Sequence, residues 1–266
     1  EIHERLVGSE MCIRDSLKIE ETRAVQGISA KLNTIAKIRG EYVVASKYDF
    51  WFLNADLSPK FHAAMDPWFS ANVLDLVGIT ALDKDAYVLM GSNKSLLRVR
   101  QNPEADDVQG WPNFTAGRSH IEAVGGLGRA RIDTERAKFS YIHSSATDGR
   151  YVFMATVPDN KNKKQFVISK ALMKDWMLSG EFVPTAEMLK KDRSLGELYV
   201  TGMVYEDGKL YAVSKNWNVL VVIDVAQEAV VEAWGLPEEL TDIRGLVKDG
   251  STFEVIDANR VVKLTM

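Results

Sequence analysis

One stretch, KLYAVSKNWNVLVVID (Lys209–Asp224), constrains this chain more than any other, because its pattern returns four more times in altered form. It opens with apolar residues at alternate positions, Leu210 and Ala212, and turns through Ser214, Asn216 and Asn218. It then resumes as the apolar run from Val219 to Ile223. Alternation, a small polar turn and a second apolar run predict a β-hairpin. Related phrases occupy Glu41–Leu57, Ala86–Arg100, Arg150–Ser169 and Thr252–Thr265. Their first strands begin at Tyr42, Tyr87, Tyr151, Leu210 and Phe253, at successive spacings of 45, 64, 59 and 43 residues.

A single hairpin cannot bury both of its faces, so a chain that repeats one at this interval stacks sheet against sheet. Upstream of each hairpin lies another short apolar strand: LNTIAKI, LDLVGITAL, KFSYIHS, LYVTGMVY and DIRGLVK. Three of these carry a glycine at a matching place, Gly78, Gly202 and Gly245. Where inner strands converge on an axis a side chain collides with its neighbour, and glycine relieves the collision. The pattern predicts an all-β β-propeller of five four-stranded blades. The fifth repeat has no outer strand of its own, so KIEETRAV (Lys18–Val25) is expected to fill the place and close the ring by pairing N- and C-terminal strands.

Three regions fit the repeat poorly. Gln109–Arg136 is irregular and is the place where a sixth blade would lie. Gly126 and Gly128 sit in it without a surrounding βαβ unit and without a third glycine, which argues against a dinucleotide fingerprint. Within Lys170–Asp192, KALMKDWML and PTAEMLKKD have helix-like spacing and are expected as insertions on one rim of the third blade. Residues 1–16, finally, resemble the translation of a sequencing adaptor. We therefore expect a non-native tail over 1–16 and one propeller domain over 17–266.

The tail matters to the composition. It holds the only cysteine, Cys12, so residues 17–266 offer no disulfide, thiolate or cysteine-bound zinc. Of 33 basic and 37 acidic residues, the tail holds two and four, leaving 31 and 33. That balance gives no electrostatic footprint for nucleic acid. No apolar run approaches membrane-spanning length.

From Tyr199 to Asp257 the chain resembles the bacterial YVTN/NHL type of propeller. The line TGMVYEDGKLYAVSK is followed by VVID and by the strand VVEAWGLP, and the likeness is partial over Leu32–Arg100. The resemblance implies the architecture only, because such propellers serve as lactonases, lyases, cyclases, sensors and docking modules.

Two functional classes follow. In the first, the chain is a non-catalytic ligand- or protein-binding domain of a bacterial envelope protein, with a periplasmic setting. A small molecule or protein partner would sit at the channel mouth, where loops converge. Residues expected there are Trp68, Arg118, His120, Glu122, Tyr199, Asp242 and Arg244 from connections between blades, and Tyr48, Asn93, Asn160 and Trp217 from hairpin tips. The alternative for Trp68 and Trp217 is packing between blades. In the second class the chain is a metal-assisted hydrolase, lactonase or lyase with its site on the axis. A divalent cation such as calcium would be held there by Glu122, Glu197 and Asp242. Histidines 62, 120 and 143 could supply an acid or base, although lone histidines are more often structural.

Overall fold

The structure is a computed structural model, and it describes residues 13–14, 16–64, 74–81, 86–100, 121–122, 130–131, 136, 140–160, 163–186 and 195–266. After the two-residue strand β1 (Ile13–Arg14) comes β2 (Lys18–Ala24), followed by blade one: β3 (Thr34–Ile38), β4 (Glu41–Ala45), β5 (Asp49–Leu53) and β6 (Pro59–Ala64). Blade two contains β7 (Leu76–Ala81), β8 (Ala86–Gly91), β9 (Ser95–Arg100), and the short pieces β10 (Ile121–Glu122) and β11 (Ala130–Arg131). Blade three is β12 (Ile142–Thr147), β13 (Tyr151–Thr156), β14 (Ile168–Leu172) and β15 (Leu178–Phe182). Blade four is β16 (Val200–Glu206), β17 (Lys209–Ser214), β18 (Val219–Asp224) and β19 (Ala229–Gly235). Blade five is β20 (Ile243–Asp249), β21 (Thr252–Asp257) and β22 (Arg260–Thr265), completed by β2.

Within each blade neighbouring strands pair antiparallel, and the innermost strands β3, β7, β12, β16 and β20 touch in succession, with β20 against β3. The result is a closed five-bladed propeller. β7 contacts β12 directly, so no sixth blade intervenes between blades two and three. The described pieces of Gln109–Arg136, β10 and β11, both pair with β9 and stand in the outer-strand place of blade two.

Residues that alternate along one strand face opposite gaps between blades. Val43 and Ala45 join the core between blades one and two, whereas Val44 joins the core between blades five and one. Leu210 and Ala212 likewise face blade three, while Val213 faces blade five. Both faces of these strands are therefore buried, and this is why Val219–Ile223 reads as a continuous apolar run. The ring closes where β2 pairs with β22, as the missing outer strand required. Arg23 on β2 bonds Glu254, whose carboxylate also accepts from Tyr42 Oη at 2.8 and 2.7 Å, tying blade five to blade one. β1 lies parallel to β19, and Leu17, 2% exposed, enters the core between blades four and five.

The helix-like segment at Lys170–Leu178 is a β-hairpin. Ala171, Met173 and Trp176 are buried between blades two and three, with Leu178 packed against them. A tight turn, in which Trp176 has φ of 63°, brings them to one face. The turn generates a spacing that imitates a helical stripe. The second helix-like piece, PTAEMLKKD, lies largely outside the described residues.

Candidate functional site

Neighbouring inner strands approach one another closely where they carry glycine. A Cβ added to Gly202 would lie 2.3 Å from the carbonyl carbon of Gly245, and one on Gly245 would lie 2.4 Å from the Ile35 nitrogen. At Gly78 the obstacle is Ser145 Oγ, 2.0 Å away. Gly245 also has φ of +61°, where L side chains are strained.

At the end of the channel where the inner strands begin lies a cavity of about 480 Å³. The residues preceding four of the inner strands are Asn33, Asp75, Tyr199 and Asp242, and the next-but-one positions are Ile35, Val77, Thr201 and Arg244. His143 is the corresponding second residue of β12. Register shifts between Leu76 and Gly78, Ile142 and Ser144, and Val200 and Gly202 make Val77, His143 and Thr201 the extra residues of β-bulges. A bulge re-aims its side chain, and these three line the cavity together with Arg244, Asn33 and Asp75.

Hairpin tips hold the connections that feed this ring. The Asn93 side chain accepts from the main-chain nitrogen of Leu74 at 3.4 Å, and Asn216 accepts from that of Tyr199 at 3.1 Å. Asp257, 1% exposed, accepts from the nitrogens of Thr241 and Asp242 at 2.9 and 2.7 Å.

Asp242 is the electrostatic hub. Lys31 Nζ and Lys215 Nζ each approach its carboxylate at 2.8 Å, and Arg244 Nε at 3.1 Å. Burial alone would raise this carboxyl, but hydrogen bonds from Lys215 and Lys31 and the charge of Arg244 outweigh it and hold the group well below the usual carboxylate range. Beside this hub, Tyr199 Oη lies 2.6 Å from His143 Nε2. Burial, then the charge of Arg244, pushes the imidazole below its ordinary value, against an upward pull from Asp75. Burial pushes the Tyr199 phenol up, and Arg244 opposes it. Both partners are thus neutral at pH 7.

Of the residues expected from sequence, Arg244 lines the cavity, while Asp242 and Tyr199 stand behind it, bonded to Arg244 and to the cavity-lining His143. Trp68, Arg118 and His120 lie outside the described residues. Glu122 is on β10, at the outer edge of blade two and opposite Arg98, rather than on a strand that lines the axis. Glu197 is exposed in a 3-10 helix, Leu195–Glu197, so the three carboxylates proposed to hold a cation sit on separate elements. No group of three or more His, Cys, Asp and Glu able to hold a metal ion occurs among the described residues. Trp217, at the blade-four tip, packs against the core between blades three and four, which is the packing alternative. His62 stacks on Trp51 in the outer strands of blade one, with ring centroids 4.7 Å apart. Lys31, Asn33, Asp75 and Lys215 were not anticipated. Aligning the residue that precedes each inner strand would have singled out Asn33 and Asp75 beside Tyr199 and Asp242.

The ring closure and this polar mouth define a five-bladed β-propeller with a small-molecule-sized cavity at one end of its axis. No family model matches the chain, and no curated protein matches it in sequence. Among solved structures, the glutaminyl cyclase of Myxococcus xanthus is similar over 95% of this chain and 97% of its own, with a TM-score of 0.65 and 11% identity. The WD40 propeller domain of Doa1 matches over 91% and 66% of the two chains (TM-score 0.48, 7% identity). BamB of Moraxella catarrhalis matches over 87% and 69% (TM-score 0.37, 9% identity). At 11% identity the likeness to the glutaminyl cyclase establishes a shared fold alone. Among the described residues no helix is long and apolar enough to cross a membrane.

Proposed function

We propose that this propeller is a binding domain that takes a small polar ligand at its channel mouth. The observation that carries the reading is the cavity of about 480 Å³ into which blades three, four and five send His143, Thr201 and Arg244 from equivalent register positions, joined by Asp75 from just before β7 of blade two. Its size lies within the usual range for ligand pockets, and a few convergent polar groups on rigid strands are what such pockets need. The likeness of Tyr199–Asp257 to YVTN/NHL repeats supports a bacterial origin, and a cysteine-free 17–266 is compatible with an envelope setting.

One observation favours a catalytic second reading. The neutral His143–Tyr199 pair sits at the cavity wall with a short hydrogen bond of 2.6 Å, an arrangement able to take up or deliver a proton. That the glutaminyl cyclase shares the fold over its full length supports the capacity of this scaffold for chemistry, without assigning a reaction.

The test is a thermal-shift screen of small polar metabolites, followed by NMR of the His143 ring for each hit. A ligand of the folded state raises the melting temperature, and one seated at the mouth moves the imidazole signals. Hits that leave His143 unmoved, or a screen without hits, would overturn the binding site. Chemical change of a hit during incubation, lost in His143→Gln and Tyr199→Phe, would establish the catalytic reading instead.

A further inference from the structure

We propose that the ligand is an amino-carboxylate of amino-acid size, its carboxylate on Arg244 and its ammonium on Asp75; the proposal rests on the ligand-binding reading above. Arg244 is positioned before any ligand arrives. Its Nε is held by Asp242 Oδ1 at 3.1 Å and its Nη1 reaches Asn33 Oδ1 at 3.4 Å. Asp242 is in turn fixed by Lys31, Lys215 and the buried Asp257. Among the described residues Nη2 has no acceptor, so one edge of a half-buried guanidinium is left for a planar anion. A carboxylate matches that edge in shape and charge, and a guanidinium whose rotamer is already fixed loses little freedom on pairing.

The opposite charge comes from blade two. Asp75 lines the same cavity, and its backbone is held at φ of 30° just before β7. The other carboxylate lining the cavity, Asp49, is engaged by His62 Nε2 at 2.9 Å. The Asp75 main-chain carbonyl accepts from the Ser92 nitrogen at 3.0 Å, but its carboxylate makes no hydrogen bond or ion pair among the described residues and is thus the one available to a cation. Arg244 and Asp75 both act on His143, one lowering and one raising its proton affinity, and all three line the cavity. The wall therefore presents cationic groups (Arg244, with Lys31 and Lys47), a neutral ring and the Asp75 carboxylate. A zwitterion satisfies both ends, whereas a simple acid or a simple amine leaves one half-buried charge without a partner. Thr201, whose hydroxyl is spent on the Ile243 carbonyl at 2.7 Å, does not compete for the ligand.

The experiment is isothermal titration of the full chain with the common L-amino acids. Any that binds is then compared with its own desamino analogue, which keeps the carboxylate, and its decarboxy analogue, which keeps the ammonium. The amino acid should bind about tenfold or more tighter than either, because each analogue forfeits one charge-assisted contact. Arg244→Gln should abolish the advantage over the decarboxy analogue, and Asp75→Asn the advantage over the desamino analogue. Analogues that bind as tightly as the parent would overturn the proposal, and this comparison uses the unaltered protein. If no amino acid binds while another small molecule perturbs His143, the zwitterion assignment fails and the mouth remains a binding site. If nothing perturbs His143, both readings fail.

Discussion

Gly202→Ala isolates the packing that closes the ring. Gly202 has an ordinary backbone conformation, so a methyl group there carries no dihedral penalty, and in open space it would stabilise the chain by about 0.4–1 kcal/mol through the unfolded state. The space is not open. The added Cβ would stand 2.3, 2.4 and 2.8 Å from the carbonyl carbon, oxygen and Cα of Gly245. Carbon atoms rest at about 3.5 Å or more, so blades four and five must part by roughly 1 Å at their inner edge. The obstacle is backbone, which no rotamer change relieves, and the core that would loosen includes Val213, Leu246 and Phe253. Overpacking of this kind costs about 1–3 kcal/mol, and the rigid obstacle puts the net effect near 2 kcal/mol of destabilisation. Urea unfolding followed by tryptophan fluorescence should show a midpoint lower by about 1 M with an unchanged slope. Gly208→Ala is the control, since nothing lies within 4 Å of its Cβ and only its φ of +79° opposes the change. A midpoint for Gly202→Ala at or above that of the parent, or a larger fall for Gly208→Ala, would refute the reasoning.

Two further outcomes follow from closure and from the mouth. Deleting residues 1–16 should leave the melting temperature within a few degrees of the parent, because β2 and Leu17 remain. Deleting residues 1–24 strips β22 of its outer partner, β2, and should lower the temperature by on the order of 10 °C or broaden the transition, as read by circular dichroism. His143 carries a depressed proton affinity in the folded state, so below its ordinary value of 6.5 the unfolded chain takes up a proton that the folded chain refuses. Its contribution to stability is therefore neutral above that pH and turns unfavourable as pH falls. His143→Gln should flatten the fall in melting temperature between pH 7 and pH 5 relative to the parent, and equal slopes would contradict the assignment.

The hairpins were legible because their signal is local and repeated. Each of Tyr42, Tyr87, Tyr151, Leu210 and Phe253 stands in the second strand of its blade, as alternation and turn chemistry required. Closure was legible too, since a fifth repeat short of a strand and an unassigned Lys18–Val25 admit one simple pairing. Lys170–Leu178 was misread as helical because a one-strand segment and a tight turn bury Ala171, Met173 and Trp176 at intervals that a helix also gives.

What the sequence determined by itself, then, is the run of strands and the closed ring they build, because burial on both faces and polar turns are written within a few residues of each other. The tertiary structure alone decided which side chains meet at the mouth. His143 and Tyr199 are separated by 56 residues, and Asn33 and Arg244 by 211. No short-range spacing encodes either meeting. They follow from the position of each residue at the start of an inner strand and from the bulges at Val77, His143 and Thr201, which turn those side chains into one cavity.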